Sequence, residues 1–221
     1  MSVKSIFKKS VFYKLFIYSW AYYWANKARK KVKLDRKNSL KQWYKDGRPL
    51  PPPQAYKIAV IQKYALKHHS NTLIETGTYL GDTLEACKHI FKKLISIELD
   101  HDLYLSAVHK FINEPNITIY EGDSGKMLEK ILKDINEPCL FWLDGHYSEG
   151  FTAKGELNTP IINELTTILK NNSSNNVILI DDARCFNGKD DYPTLTFLKD
   201  FVAQHDKNLR FEVEDDMIRI Y

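Results

Sequence analysis

Residues 73–83 constrain the fold of this chain more than any other segment. They read LIETGTYLGDT, an apolar stretch of strand length followed by two glycines and the start of a helical pattern. Gly77 and Gly81 fit a turn in which the backbone takes a positive φ or approaches a ligand closely. A helix that begins there points unpaired N–H groups and the positive end of its dipole at the turn. The segment alone also fits a tight strand-to-helix turn without a ligand.

A second apolar strand and an acidic residue follow at the spacing of a βαβ unit. Residues 83–91 have a helical pattern, residues 94–97 are apolar, and Glu98 comes 21 positions after Gly77. A carboxylate at the tip of the second strand is placed to accept hydrogen bonds from both hydroxyls of a ribose. The spacing therefore favours a nucleotide-like cofactor at the turn.

Three further apolar runs, residues 117–120, 139–143 and 177–180, also end in acidic residues. In open α/β sheets, ligands bind outside the carboxyl ends of the strands, so we expect these endings to face one crevice. The acidic residues concerned are Glu121, Asp123, Asp144, Asp181 and Asp182.

Together these motifs resemble those of class I S-adenosylmethionine-dependent methyltransferases. The resemblance rests on ETGTYLG at 75–81, Glu98, GDS at 122–124 and LDGH at 143–146, and it covers about residues 52–221. The spacing E-x-G-x-x-x-G favours this family over nicotinamide-dependent dehydrogenases, which use G-x-G-x-x-G. WLDGHY at 142–147 with LIDDAR at 179–184 also resembles bacterial methyltransferases encoded among surface-glycan genes and metal-dependent sugar O-methyltransferases.

The resemblance implies an α/β fold with a Rossmann-like, doubly wound sheet of about seven strands, mostly parallel. Residues 209–213 and 217–221 would form the antiparallel hairpin that finishes this sheet. Residues 54–67 have a helical period and would cover the edge of the first strand. Proline occupies four of the positions 49–53 and fixes an extended path. We therefore predict an N-terminal helical extension, residues 1–50, and a methyltransferase domain, residues 51–221.

The resemblance also implies a binding site for S-adenosylmethionine. Glu98 would accept the ribose hydroxyls, Asp123 beside Ser124 would accept from the adenine amino group, and Asp82 would reach the ammonium group. Asp123 also fits a plain helix cap, as does Asp82 for a helix starting at Thr83. The predicted cofactor-binding residues are Glu75, Thr76, Gly77, Thr78, Gly81, Asp82, Thr83, Glu98, Asp123, Ser124 and Asp144.

By the same resemblance, Asp144, Asp181 and Asp182 would hold a divalent cation such as Mg²⁺, which prefers oxygen ligands. The cation would lower the pKa of a substrate hydroxyl. His146 is the predicted base because imidazole titrates near neutral pH, and the predicted catalytic residues are Asp144, His146 and Asp182. Two alternatives stay open. His146 also fits a plain loop histidine, and one aspartate of the pair 181–182 also fits a partner of Arg184, because adjacent side chains on a strand point to opposite sides.

Charge is distributed unevenly along the chain. The net charge of +4 divides into +12 for residues 1–50, with 14 Lys+Arg and two acids, and −8 for residues 51–221, with 18 Lys+Arg and 26 acids. Residues 11–25 are dense in aromatics and flanked by lysines, and a helix of that length, about 22 Å, is too short to span a membrane. We expect residues 4–33 to make a peripheral contact with a membrane. A lid or a dimer contact, and so a homo-oligomer, is the alternative, and nucleic acid is disfavoured because the body is acidic.

Three hypotheses for the function follow. The leading one is an enzyme that moves a methyl group from S-adenosylmethionine to a hydroxyl of a small-molecule or glycan acceptor. A sugar is the acceptor that the resemblance favours, and a divalent cation would assist the transfer if the three aspartates bind one. The alternatives are a nicotinamide-dependent oxidoreductase and a noncatalytic scaffold that binds a membrane or a partner. The three cysteines have no paired spacing, which favours a cytoplasmic protein, with the inner face of the membrane as its contact.

Overall fold

The computed structural model describes residues 35, 37–144, 159–171 and 175–221. These residues divide into two compact units, the first running to residue 49 and including residues 53–55, the second comprising residues 50–52 and 56–221. The domain boundary that the sequence predicts between residues 50 and 51 stays a prediction. Residues 4–33, for which the sequence predicts membrane contact, lie outside the described residues. Within the described ranges, no helix is long and apolar enough to span a membrane.

In the first unit, residues 37–45 form a helix, α1, that ends in a turn. The Arg48 N–H donates to the carbonyl of Trp43 at 2.9 Å, and the Trp43 indole N–H donates to the carbonyl of Pro49 at 2.7 Å. The Arg48 guanidinium lies 5.5 Å from the centre of the indole ring. The turn thus folds back onto the tryptophan, which ends the helix ahead of the proline run.

The second unit contains one seven-stranded sheet in the order β3-β2-β1-β4-β5-β7-β6. The first five strands are parallel, and β7 is antiparallel to both of its neighbours. This confirms the predicted doubly wound sheet with an antiparallel C-terminal hairpin. The strands are β1 (Thr72–Thr76), β2 (Lys93–Glu98), β3 (Ile117–Glu121), β4 (Cys139–Leu143), β5 (Val177–Ile180), β6 (Phe211–Glu214) and β7 (Met217–Ile220).

Helices cover both faces of the sheet. Side chains alternate between faces along each strand, so Leu140 and Trp142 join the cluster that α2 and α3 cover, while Phe141 and Leu143 join the cluster that α5, α6 and α7 cover. Burial on both faces explains why β4 and β5 are continuous apolar runs. The helices are α2 (Gln54–Lys67), which belongs to this unit from Tyr56 onward, α3 (Asp82–Cys87), α4 (His101–Lys110), α5 (Ser124–Leu132), α6 (Ile161–Lys170) and α7 (Leu195–His205).

Some predicted details are wrong. The helix predicted over residues 83–91 is α3 and ends at Cys87, and the strand predicted over residues 209–213 is β6, Phe211–Glu214. The helix α2 has the predicted bounds but does not cover a strand edge, because β1 lies in the middle of the sheet. It packs on a sheet face instead, with Ile61 in one core cluster with Leu73.

The register of the sheet sets the positions of the residues that follow the strands. Thr76 at the end of β1 pairs with Ile97 of β2 and with Leu143 of β4, and Leu143 pairs with Ile180 of β5. The residues immediately after these positions therefore lie side by side at the carboxyl ends of the parallel strands. They are Gly77, Glu98, Asp144 and Asp181.

Candidate cofactor and acceptor site

The loop between β1 and α3 has the backbone conformation that its glycines predict. Gly77 has a φ of 84° and Gly81 a φ of 70°, both in the left-handed region. A Cβ atom added to Gly81 would lie 2.7 Å from Cε2 of Phe111, so packing also requires glycine there. Tyr79 has a φ of 46°, and its N–H donates to the carboxylate of Glu98 at 2.7 Å. Side chains from β2 and the end of α4 therefore hold this loop in place.

Glu98 lies at the end of β2 beside this loop. Its Oε2 accepts from the Tyr79 N–H at 2.7 Å, and its Oε1 accepts from the Asp100 N–H at 3.0 Å. A carboxylate has about four lone-pair positions. Two backbone donors therefore orient the group and leave it capacity for two more hydrogen bonds, as a pair of ribose hydroxyls requires.

Beneath the loop, Glu75 takes part in a buried polar network. The Ser96 hydroxyl donates to Oε2 of Glu75 at 2.7 Å, and the Ser96 and Thr78 hydroxyl oxygens are 2.6 Å apart. Burial raises the pKa of Glu75 to about 8, although hydrogen bonds from Ser96 and Thr83 oppose the shift. Three of the predicted cofactor residues thus share one network, in which the carboxyl is largely protonated at neutral pH.

At the start of α5, Asp123 caps the helix. Its Oδ1 accepts from the Gly125 N–H at 2.9 Å, which is the capping alternative that the sequence left open. The corresponding expectation for α3 is wrong. That helix already includes Asp82, and its N-cap is Gly81, which has no side chain to accept a hydrogen bond. Asp82 is exposed in the first turn, where its charge favours the helix dipole.

Glu164 of α6 lies beside Ser124 at the start of α5, and no sequence motif predicts it as a site residue. Glu164 is only 1% exposed. Burial raises the pKa of its carboxyl to about 7, and a hydrogen bond from Ser124 opposes the shift. In the sequence, Glu164 is an acidic residue on the helical face that also carries the apolar residues Ile161, Leu165 and Ile168. Ser124, a predicted cofactor residue, is therefore in contact with a second buried carboxyl group.

The predicted acceptor side lies at the ends of β4 and β5. The Asp144 N–H donates to the Thr76 carbonyl, and the Asp181 N–H donates to the Leu143 carbonyl, each at 3.1 Å. Each aspartate thus extends the ladder by one residue, which brings Asp144 beside Asp181. Asp182 follows with a φ of 54°, in the left-handed region.

Two basic side chains lie among these aspartates, Asp144, Asp181 and Asp182, which form an acidic cluster. The Lys57 ammonium of α2 forms an ion pair with Oδ2 of Asp181 and lies 3.9 Å from Oδ1 of Asp182. The Arg184 guanidinium lies 2.6 Å from Oδ1 of Asp182 and also pairs with Asp216. The predicted alternative of an Asp182–Arg184 pair is therefore confirmed. Lys57 was not predicted, because its partner is 124 positions away in the sequence.

The carboxyl of Asp181 is buried, with a residue exposure of 4%. Burial is the main cause that raises its pKa to about 7; the charge of Asp144 adds to the shift, and the charge of Lys57 opposes it. Burial thus makes this carboxyl harder to ionise than an exposed aspartate, although a lysine pairs with it.

The predicted metal site does not fit this arrangement. The part of the chain that the structure describes contains no group of three His, Cys, Asp or Glu side chains that could hold a metal ion. Lysine and arginine side chains form ion pairs with the two adjacent aspartates that would have to bind the cation. His146, the predicted base, lies outside the described residues together with the rest of residues 145–158.

Comparison with solved structures identifies the fold. The O-methyltransferase from Bacillus cereus in complex with SAH matches with a TM-score of 0.56 and 12% identity, over 84% of this chain and 89% of that one. The O-methyltransferase TomG from Streptomyces achromogenes, in complex with SAM, matches with a TM-score of 0.52 and 13% identity, over 84% and 87%. The SAH-bound methyltransferase PaMTH1 from Podospora anserina matches with a TM-score of 0.51 and 15% identity, over 88% and 94%.

The chain therefore has the fold of the class I S-adenosylmethionine-dependent methyltransferases, as the sequence motifs predict. No protein-family model and no curated protein matches the chain. At these sequence identities the likeness defines the fold, and the activity has to be argued from the residues of the site.

Proposed function

We propose that this protein is a methyltransferase that moves a methyl group from S-adenosylmethionine to a hydroxyl of a small-molecule or glycan acceptor, with a sugar as the preferred acceptor. The observation that carries the proposal is Glu98, a carboxylate oriented by two backbone N–H groups beside the glycine loop of β1. In folds of this type, that position receives the ribose of a nucleotide cofactor. The preference for a sugar rests on the sequence resemblance at residues 142–147 and 179–184.

On the cofactor side, Glu98 would accept hydrogen bonds from the two ribose hydroxyls. Asp123 would accept from the adenine amino group through Oδ2, since Oδ1 caps α5, and Asp82 would attract the ammonium group of the methionine part. Glu75, Thr78 and Thr83 support the loop from below through the buried network. Thr76, Gly77, Gly81, Ser124 and Asp144 complete the proposed cofactor site.

The chemistry is an in-line displacement. The acceptor oxygen supplies the electron pair of the new O–C bond, the C–S bond breaks with its electrons passing to sulfur, and the acceptor proton passes to a base. The protein has to align donor and acceptor and remove that proton. His146 is the proposed base, with Asp144 and Asp182 beside the acceptor. No step is assigned to a divalent cation, because the aspartates of the predicted metal site are paired with basic side chains.

Calorimetric titration tests the proposal. We expect S-adenosylhomocysteine to bind the purified protein with micromolar affinity and NAD not to bind. Glu98→Ala should abolish this binding, whereas Asp182→Ala should retain it and lose methyl transfer. Glu129→Ala is the matched control, because Glu129 is an exposed acid on α5. Binding of NAD alone would establish the oxidoreductase alternative, and binding of neither ligand would leave the scaffold alternative.

We also propose that residues 4–33 bring the protein to the inner face of a membrane. The support is the charge of +12 on residues 1–50 and the aromatic run that the lysines flank. Aromatic rings favour the headgroup region, and lysines favour anionic lipid. A lid or a dimer contact formed by the same residues is the alternative.

A further inference from the structure

The ammonium group of Lys57 lies within the acidic cluster at the ends of β4 and β5. It pairs with Oδ2 of Asp181 and lies 3.9 Å from Oδ1 of Asp182, and its side chain is only 13% exposed. The ion pair with a buried carboxylate and the low exposure of the side chain hold the ammonium group of Lys57 in place within the cluster.

The two residues that flank Lys57 in the sequence hold it in this position. The hydroxyl of Tyr56, the residue before it, donates to Asp215 in the turn between β6 and β7. Ile58, the residue after it, is buried in the core cluster that includes Trp142. The side chain of Lys57 is thus directed at the end of β5 by packing that forms when the unit folds.

A second basic group, Arg184, pairs with the oxygen of Asp182 that Lys57 approaches. The Arg184 guanidinium pairs with Asp182 and Asp216, and the Arg184 N–H donates to Oδ1 of Asp216 at 2.8 Å. The cluster still carries more acids than bases, and the buried Oδ1 of Asp181 has no hydrogen-bond partner among the described residues. Removal of Lys57 would therefore leave Asp181 without its cationic partner in a cluster of net negative charge, which attracts a divalent cation.

We propose that Lys57 takes the place of the divalent cation that the sequence resemblance implies, so that this protein works with a tethered ammonium at its acceptor site and binds no metal there. The proposal rests on the proposed function, because it assigns the acceptor site of that same reaction. Lys57 acts as a positioning and electrostatic residue. Its charge holds Asp181 in place and favours the loss of the proton from an acceptor hydroxyl bound nearby.

Titration with Mn²⁺, followed by calorimetry and by the electron paramagnetic resonance signal of the free ion, tests the proposal. The variants Lys57→Gln and Lys57→Ala remove the charge, and Lys57→Arg keeps it. We expect the two neutral variants to bind Mn²⁺ at least about tenfold more tightly than the wild type, and Lys57→Arg to behave as the wild type does. Adding Asp181→Asn to Lys57→Gln should abolish the gained binding, which would locate it at this cluster.

Lys63→Gln is the matched control, because Lys63 lies on the same helix and is exposed. It should leave Mn²⁺ binding at the level of the wild type. Micromolar Mn²⁺ binding by the wild type that Asp181→Asn removes would overturn the proposal, as would folded neutral variants that gain no affinity. Circular dichroism establishes whether each variant folds. If neither neutral variant folds, the wild-type titration alone tests the proposal: absence of Mn²⁺ binding supports it, and micromolar binding that Asp181→Asn removes overturns it.

This experiment is independent of the cofactor titration. Failure of S-adenosylhomocysteine to bind the wild type would contradict the proposed function, yet it would not change the Mn²⁺ affinities. Conversely, a wild type that binds both S-adenosylhomocysteine and Mn²⁺ would keep the proposed function and contradict the role of Lys57.

Discussion

The buried carboxyl of Glu75 makes the stability of the second unit depend on pH. Burial raises its pKa from an ordinary value of 4.5 to about 8. Between these values the folded chain holds a proton that the unfolded chain releases, so this contribution to stability is complete below pH 4.5 and is lost as the pH rises towards 8. Over that range, one such group contributes a slope of about 1.4 kcal/mol per pH unit.

Glu75→Gln should remove this slope, because an amide keeps the shape of the neutral acid and does not ionise. We expect the free energy of unfolding, measured in urea from about pH 5.5 to 7.5, to fall less steeply in the variant than in the wild type. Glu164 and Asp181 have raised pKa values of about 7 and should leave part of the slope. Glu129→Gln, at an exposed position, should match the wild type, and an unchanged slope in Glu75→Gln would contradict the assignment.

The sequence predicts the site residues that directly follow a strand. It does not predict the site residues that only tertiary packing brings to the site. Glu98 and Asp144 were predicted because a parallel sheet brings the carboxyl ends of its strands to one edge. Lys57 and Glu164 were missed because each lies on a helix, and a helical pattern does not reveal which neighbour a charged side chain meets. The contact of Lys57 depends on the packing of α2 against the sheet, which no local spacing encodes.

Among the elements, the loop between β1 and α3 depends most strongly on one residue. Gly81 has a φ of 70°, and a Cβ atom there would lie 2.7 Å from the Phe111 ring. Gly81→Ala should therefore cost about 1–2 kcal/mol for the left-handed backbone and about 1–3 kcal/mol more for overpacking. We expect a loss of stability in urea and weaker binding of S-adenosylhomocysteine, because the displaced loop carries Thr78 and Tyr79.

Gly188→Ala separates the two contributions. Gly188 also has a positive φ, of 84°, but the nearest atom to its added Cβ would be a methyl carbon of Thr194 at 3.2 Å, a less severe contact than the one at Gly81. This variant should lose only about 1–2 kcal/mol of stability, mostly from the backbone. Equal losses in Gly81→Ala and Gly188→Ala would show that the Phe111 contact has little weight.

The strands were predicted better than the helices that connect them. A strand buried on both faces is a continuous apolar run with clear ends, and β4 and β5 have the predicted bounds. The predicted end of α3 at residue 91 is wrong because the N–H groups of Ile90 and Phe91 both donate to the carbonyl of Cys87. The chain leaves the helix there while its apolar residues continue into the core, so the pattern alone extends the helix too far.

At the scale of the whole molecule, charge separates the N-terminal residues from the rest of the chain. Residues 1–50 carry +12 and residues 51–221 carry −8. Anionic lipid attracts the first group and repels the second, and each lysine near such a surface contributes about 1 kcal/mol at physiological salt. The charge distribution therefore favours the proposed lipid contact through the N-terminal residues over contact through residues 51–221.

Vesicle sedimentation of the full chain and of lysine variants tests this preference. We expect binding to vesicles that contain an anionic phospholipid at about 50 mM salt and a marked loss at about 300 mM, since salt screens the attraction. Replacing Lys27, Lys30, Lys31 and Lys33 by Gln should weaken binding at least about tenfold. The control replaces four exposed lysines of the second unit, Lys92, Lys126, Lys130 and Lys133. Because these lie on the acidic part of the chain, their loss should leave vesicle binding unchanged; equal losses in the two variants would contradict a membrane contact through residues 4–33.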